Sequence, residues 1–135
     1  MPWSRLERIR TEAIYAAARY SRSRRVDIDP DGGWVVIYDF ELPPYYNYET
    51  VDILIELPPD YPATPPQWFY TDPGLRRRDG KAMSHYFQHQ LRERSGWAAC
   101  CLHIRSWAPT ADPLQGHSLL SVCRLIYDAF ARWGR

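Results

Sequence analysis

The residues best suited to chemistry crowd into one stretch, Gly96 to Pro109, reading Gly-Trp-Ala-Ala-Cys-Cys-Leu-His-Ile-Arg-Ser-Trp-Ala-Pro. Two adjacent thiols, Cys100 and Cys101, precede a Leu-x-Ile pair and a Trp-x-Pro anchor. The stretch shows neither a helical nor a strand period. Apolar residues that pin irregular backbone can leave a sulfur accessible, and loops on a rigid scaffold are where reactive groups are presented. A cysteine among apolar neighbours is equally an ordinary small core residue. Alternating exposure along an extended segment would turn one of the two sulfurs inward.

A thiolate is the attacking form, and a thiol of ordinary acidity is only slightly ionised near neutrality. Acyl exchange between two sulfurs is nearly thermoneutral and needs little acid–base machinery. It needs an exposed sulfur, a groove for an extended tail and a donor for the oxyanion. Candidate donors are the backbone amides around Cys101 and the side chains of His85, Tyr86 and His103. His103 would also favour a thiolate electrostatically, unless it is a solvated loop residue. A zinc site built from Cys100, Cys101, His103 and His85 is disfavoured, because adjacent cysteines lack the gap of zinc knuckles. A Cys–His hydrolase would need a base and an orienting group, and the scattered histidines form no recognisable order.

The basic residues are one-sided. Of 17 lysines and arginines only Lys81 is a lysine. Lysine accepts acyl groups and the always-charged arginine does not, so Lys81 is the one side-chain amine able to receive an acyl group in cis. A net charge of +1 gives no case for nucleic-acid binding. Apolar runs are too short to span a membrane. The opening Met-Pro-Trp-Ser-Arg-Leu-Glu-Arg lacks the apolar core of a signal peptide, and three cysteines argue against a disulfide framework. A reducing cytoplasmic setting is expected. No metal or organic cofactor is implied, and 135 residues fit one domain, 1–135.

The elements that must position the thiols follow from periodicity. From Trp3 to Tyr20, apolar Trp3, Leu6, Ile9, Ala13, Ile14, Ala17 and Tyr20 are spaced by three and four, with Arg5, Glu7, Arg8, Arg10 and Glu12 on the other face. This predicts an amphipathic helix. Val26–Ile28 is a short strand, Asp31-Gly32-Gly33 a hairpin turn, and Trp34–Leu42 a second strand. Glu49–Leu57 is a third, followed by a stretch from Pro58 to Pro66 too rich in proline for helix or central strand. Trp68–Thr71 completes a four-stranded antiparallel meander. Regularity then lapses from Asp72 to about Leu114, apart from a short helix expected at Gln88–Arg94. Such a long irregular segment is usually functional. From Ser118, a plausible N-cap, Leu119, Val122, Cys123, Ile126, Ala129, Phe130 and Trp133 form one stripe of a final helix, so Cys123 is read as core. The fold class expected is α+β, helices against a sheet.

This order of elements and motifs resembles the ubiquitin-conjugating enzymes, the UBC-like fold. The strand ending in Leu57 and the run Tyr61-Pro62-Ala63-Thr64-Pro65-Pro66 look like that family's "Tyr-Pro-x-x-Pro-Pro" loop. His85, Gly96, Cys101-Leu102-His103-Ile104, Trp107-Ala108-Pro109 and the helix from Ser118 fall in the family's order. The Cys-Leu-x-Ile match makes Cys101 the catalytic cysteine and leaves Cys100 turned inward. The family's His-Pro-Asn motif is broken, since Tyr86-Phe87 follow His85, and no residue inherits the role of the oxyanion-stabilising Asn. A compact form lacking that Asn is similar to the stand-alone relatives in bacterial antiphage CBASS operons. There the resemblance implies a thioester between Cys101 and the C-terminal glycine of the operon's cyclic-oligonucleotide synthase, a cGAS-like nucleotidyltransferase. Two alternatives stay open: conjugation of a bacterial ubiquitin-like modifier, and a catalytically idle UBC-like binding module.

Overall fold

Ser4 accepts the Glu7 amide on its hydroxyl (3.1 Å) while the Glu7 carboxylate takes the Ser4 amide (3.0 Å), a reciprocal cap that starts the first helix, α1, at Arg5. The computed structural model describes residues 4–83, 86–87 (backbone only for Phe87) and 94–135. The expected helix start at Trp3 lies outside these residues, as do the bulk of the helix expected at Gln88–Arg94 and the candidate His85. Helix α1 spans Arg5–Tyr20.

Its faces differ from the sequence expectation. Ile14, assigned to the apolar stripe, is 53% exposed, whereas Arg8 and Glu12, assigned to solvent, are 7% and 1% exposed. The reason is partnership: Glu12 accepts from Arg8 Nε at 2.6 Å, from the Leu119 amide at 2.8 Å and from the Tyr61 hydroxyl. A buried charge is tolerated where it is paired and hydrogen-bonded. Arg5 also turns inward, donating to the carbonyls of Tyr61 (2.7 Å), Pro58 (2.9 Å) and Gly32 (3.0 Å). Gly32 has φ +74° and a Cβ there would strike the Arg5 guanidinium, so glycine is required twice over.

Strands β1 (Val26–Ile28), β2 (Trp34–Glu41), β3 (Thr50–Glu56) and β4 (Trp68–Thr71) pair antiparallel in sequence order. The sheet does not stop at four strands. Two short strands from the segment expected to be irregular, β5 (Tyr86–Phe87) and β6 (Ala98–Cys101), extend it to six in the order β1-β2-β3-β4-β6-β5. β6 escaped the sequence reading because Ala98, Ala99 and Cys100 are all buried, so no alternation of polarity marks the strand.

The last helix, α2, spans Leu119–Trp133 with Ser118 as N-cap, as expected. Its stripe packs with α1 on one face of the sheet around Val35, Ile37, Ile53, Ile55 and Phe69. Phe130 anchors it, in edge contact with Tyr46 (5.6 Å), Phe69 (5.8 Å) and Trp133 (5.5 Å). Burying a side chain of this size is worth about 1.5–3 kcal/mol. The Phe69 contact fixes α2 against the strand that pairs with β6. Val36, Leu54, Tyr70 and Ala99 form a smaller cluster on the opposite face, under Trp34, Tyr38, Trp68 and Trp97.

Candidate functional site

Cys101 is the last residue of β6 and pairs with Trp68, while Cys100 pairs with Phe69 on one side and Tyr86 on the other. Residues directly opposite in a ladder share a face. Cys100 therefore joins Phe69 and Tyr86 against the main core, fully buried, while Cys101, at the strand's end, is partly exposed and borders residues of α2. The two sulfurs diverge and cannot converge on one ion. Among the described residues no group of three or more metal-ligating side chains is assembled.

Burial separates the three thiols electrostatically. Cys100 is held well above the ordinary 9.0, by desolvation first and then by the neighbouring Cys101. Complete burial likewise drives Cys123 far up, in keeping with its place in the core. Cys101 is also raised, by desolvation alone. Its sulfur is thus a protonated thiol at neutral pH, ready to attack only after losing that proton.

Beyond Cys101 the chain runs alongside α2 as a segment pinned at both ends. At one end the Leu102 amide donates to the Gln67 carbonyl (2.8 Å) and the Leu102 side chain is buried. At the other, Trp107 Nε1 donates to the Pro62 carbonyl (2.7 Å), and the indole lies against Tyr61 (6.1 Å) and stacks on His117 (5.5 Å, 18°). His117 Nδ1 accepts the Ala108 amide at 2.7 Å, and the His117 amide donates to the Ala108 carbonyl at 3.1 Å. The imidazole is thereby oriented with Nδ1 as acceptor. His117 is absent from the sequence candidates; nine residues of chain separate it from Trp107 and no spacing rule joins them.

Two grooves lie between this segment and α2. One, of about 510 Å³, is lined by Cys101, Arg77 and the C-terminal part of α2. The second, of about 470 Å³, lies between Arg105–Trp107 and the N-terminal half of α2. They share His103, Ile104 and Leu125.

The remaining candidates are dispersed. His103 is exposed and borders both grooves. Tyr86 packs on the main core and its hydroxyl donates to the Asp72 carbonyl (2.8 Å). The Leu102 amide is committed to Gln67, so it is not a free donor for an oxyanion. The single asparagine of the chain, Asn47, is tied to Gly74 (3.1 Å) and Arg76 (2.8 Å) in a loop near the Tyr45–Arg78 contact. Lys81 is exposed, and its amide donates to Asp79 (3.0 Å), whose carboxylate pairs with Arg77 on the wall of the Cys101 groove.

A family model described as Prokaryotic E2 family E matches residues 18–132. That range begins in the last turn of α1 and ends one residue short of the end of α2. No curated protein and no solved structure gives a match.

Proposed function

We propose that this chain, which belongs to Prokaryotic E2 family E, is a conjugating-enzyme-like acyl carrier whose Cys101 holds the C-terminal glycine of a partner protein as a thioester. Family membership indicates a conjugating-enzyme-like function and a protein partner. The observation that supports the finer reading is the contrast within one dipeptide. Cys100 is sealed in the core, while Cys101 ends its strand partly exposed beside a groove.

The reaction is thiol–thioester exchange. Cys101 loses its proton to solvent, and the thiolate attacks the carbonyl carbon of a partner tail activated elsewhere as a thioester. The new S–C bond forms as the carbonyl becomes a tetrahedral oxyanion; its collapse re-forms the carbonyl, breaks the original C–S bond and expels the donor's thiolate, which takes up a proton from solvent. No side chain near Cys101 is inherited as the oxyanion donor; His103, two residues on, borders the same groove. By resemblance, the partner is the cyclic-oligonucleotide synthase of a CBASS operon, and the covalent state regulates it. A ubiquitin-like modifier with its own activating enzyme is the other donor of the same chemistry.

Intact-protein mass spectrometry after co-expression with neighbouring operon proteins tests this. Wild type should carry an adduct released by hydroxylamine, identifying the donor by its mass, and Cys101→Ala should carry none. No adduct on wild type, or one that persists in Cys101→Ala, would sink the carrier reading in favour of a binding module.

A further inference from the structure

The two grooves, the first of them bordered by Cys101, meet at the shared residues His103, Ile104 and Leu125 and are alike in chemistry. Five arginines line them: Arg77, Arg132 and Arg135 in the first, Arg105 and Arg124 in the second, and no Asp or Glu side chain lines either groove. Arg77 is matched by Asp79 and Arg124 more loosely by Asp128 (4.0 Å). Arg105, Arg132 and Arg135 form no ion pair among the described residues. A chain with a net charge of +1 has therefore concentrated unmatched cations along one trough. At the junction sits Leu125, a 43% exposed leucine on a helix whose other outward positions are largely polar.

Ser121, Leu125, Ala129 and Arg132 lie three or four residues apart and so share the face of α2 that floors the trough. From Ser121 to Trp133 that face is about 18 Å long at 1.5 Å per residue. An extended peptide rises about 3.3 Å per residue, so about five residues would cover it.

We infer that the trough receives an acidic, extended C-terminal tail, with the terminal glycine at Cys101, a single apolar side chain on Leu125, and carboxylates facing Arg132 on one side and Arg105 with Arg124 on the other. This rests on the carrier reading and names the chemistry of its partner. Exposed charge pairs are individually weak, but several in register steer association and select against like-charged tails.

The test separates docking from chemistry. Full-length Cys101→Ser protein, which forms no thioester, is titrated with fluorescein-labelled Asp-Glu-Asp-Leu-Glu-Gly, its Ser/Gln counterpart and its Lys/Arg counterpart, followed by anisotropy. The acidic peptide should bind about tenfold tighter than the neutral one, and the advantage should collapse when salt is raised to about 0.5 M. Arg105→Glu with Arg132→Glu should abolish the preference while leaving the far-ultraviolet spectrum unchanged. Equal binding of the three peptides, or a preference that survives the double reversal, overturns the inference. So does a short oligothymidylate that binds more tightly than the acidic peptide, which would make the trough a nucleic-acid site. The same peptides as glycine thioesters are then offered to wild type. Docking of the acidic peptide without acylation of Cys101 would defeat the carrier reading and leave the trough assignment intact. Acylation without charge preference would do the reverse.

Discussion

Glu12→Gln should be the most damaging single-atom exchange in this molecule. The Glu12 carboxylate holds together four elements: Arg8 on its own helix (2.6 Å), Tyr61 of the proline-rich loop, the Leu119 amide at the start of α2 (2.8 Å) and, through Arg8, the Thr110 carbonyl. Its charge also sits at the N-terminus of α2, where the helix dipole favours an anion. A glutamine keeps the shape but places an N–H₂ against donors and leaves the Arg8 guanidinium, 7% exposed, without a counter-charge. Arg8 already has one guanidinium nitrogen, Nη2, buried without a partner among the described residues. Removing one member of a buried ion pair costs about 3–5 kcal/mol. Against a total stability of about 5–15 kcal/mol, the variant should lose a large share and melt about 10–20 °C lower. Urea unfolding followed by tryptophan fluorescence measures this directly. The control is Arg8→Met with Glu12→Leu, in which no charge is stranded. It still lacks an acceptor for Tyr61 and Leu119, so it should sit about 2–3 kcal/mol below wild type, with a coupling of about 2 kcal/mol or more in the double-mutant cycle. A Glu12→Gln loss under about 1 kcal/mol, or a double variant equal to the sum of the singles, would refute the reasoning. Because Glu12 also fixes where α2 begins, the variant should weaken peptide docking in the trough before it unfolds the chain.

Other outcomes follow from the same geometry. Alkylation of Cys101 by iodoacetamide should rise about tenfold per pH unit between pH 7 and 8.5 without levelling, since desolvation raises this thiol above 9.0; a plateau below pH 8 would contradict this and show the thiolate stabilised by the cations that line its groove. Cys100 and Cys123 should stay unmodified until denaturant is added. Both have folded-state values above 9.0, so the unfolded chain gives up their protons first. Stability is therefore fully present below pH 9.0 and should fall by about 1.4 kcal/mol per pH unit per thiol above it; flat chemical-denaturation midpoints from pH 8.5 to 10.5 would contradict this. His117→Ala removes the acceptor of the Ala108 amide and the plate under Trp107, and should cost about 1–2 kcal/mol, read as a shifted melting temperature. If Cys101 passes its acyl group on in cis, the amide product should lie at Lys81 or the N-terminus, so peptide mapping of Lys81→Arg with a blocked N-terminus should find no stable self-conjugate.

Much of the scaffold was legible before any coordinates. Alternation at Val51, Ile53 and Ile55 gave β3 its inner face, and the stripe from Leu119 to Trp133 made α2 a buried amphipathic helix with Cys123 inside. Strand β6 was not legible, because three small buried residues carry no polarity contrast. Nor was the fate of Arg8 and Glu12, whose charge reads as solvent-facing until Tyr61 and Leu119 arrive from 49 and 107 residues away.

The thiol segment divides in the same way. Residue order alone supplied a Cys-Leu-x-Ile run between a glycine and a Trp-x-Pro, and with it the choice of Cys101 as candidate nucleophile. Local sequence carries that information because it concerns neighbours on one chain. The pairing of β6 with β4 decided which sulfur is sealed, since a strand turns alternate side chains to opposite faces only once its partner fixes those faces. The docking of α2 alongside the 102–107 segment decided that arginines at 77, 105, 124, 132 and 135 would line one trough. Scattered along the sequence they sum with the acidic residues to almost nothing. Long-range packing alone sets the distances between them, and electrostatic potential depends on distance.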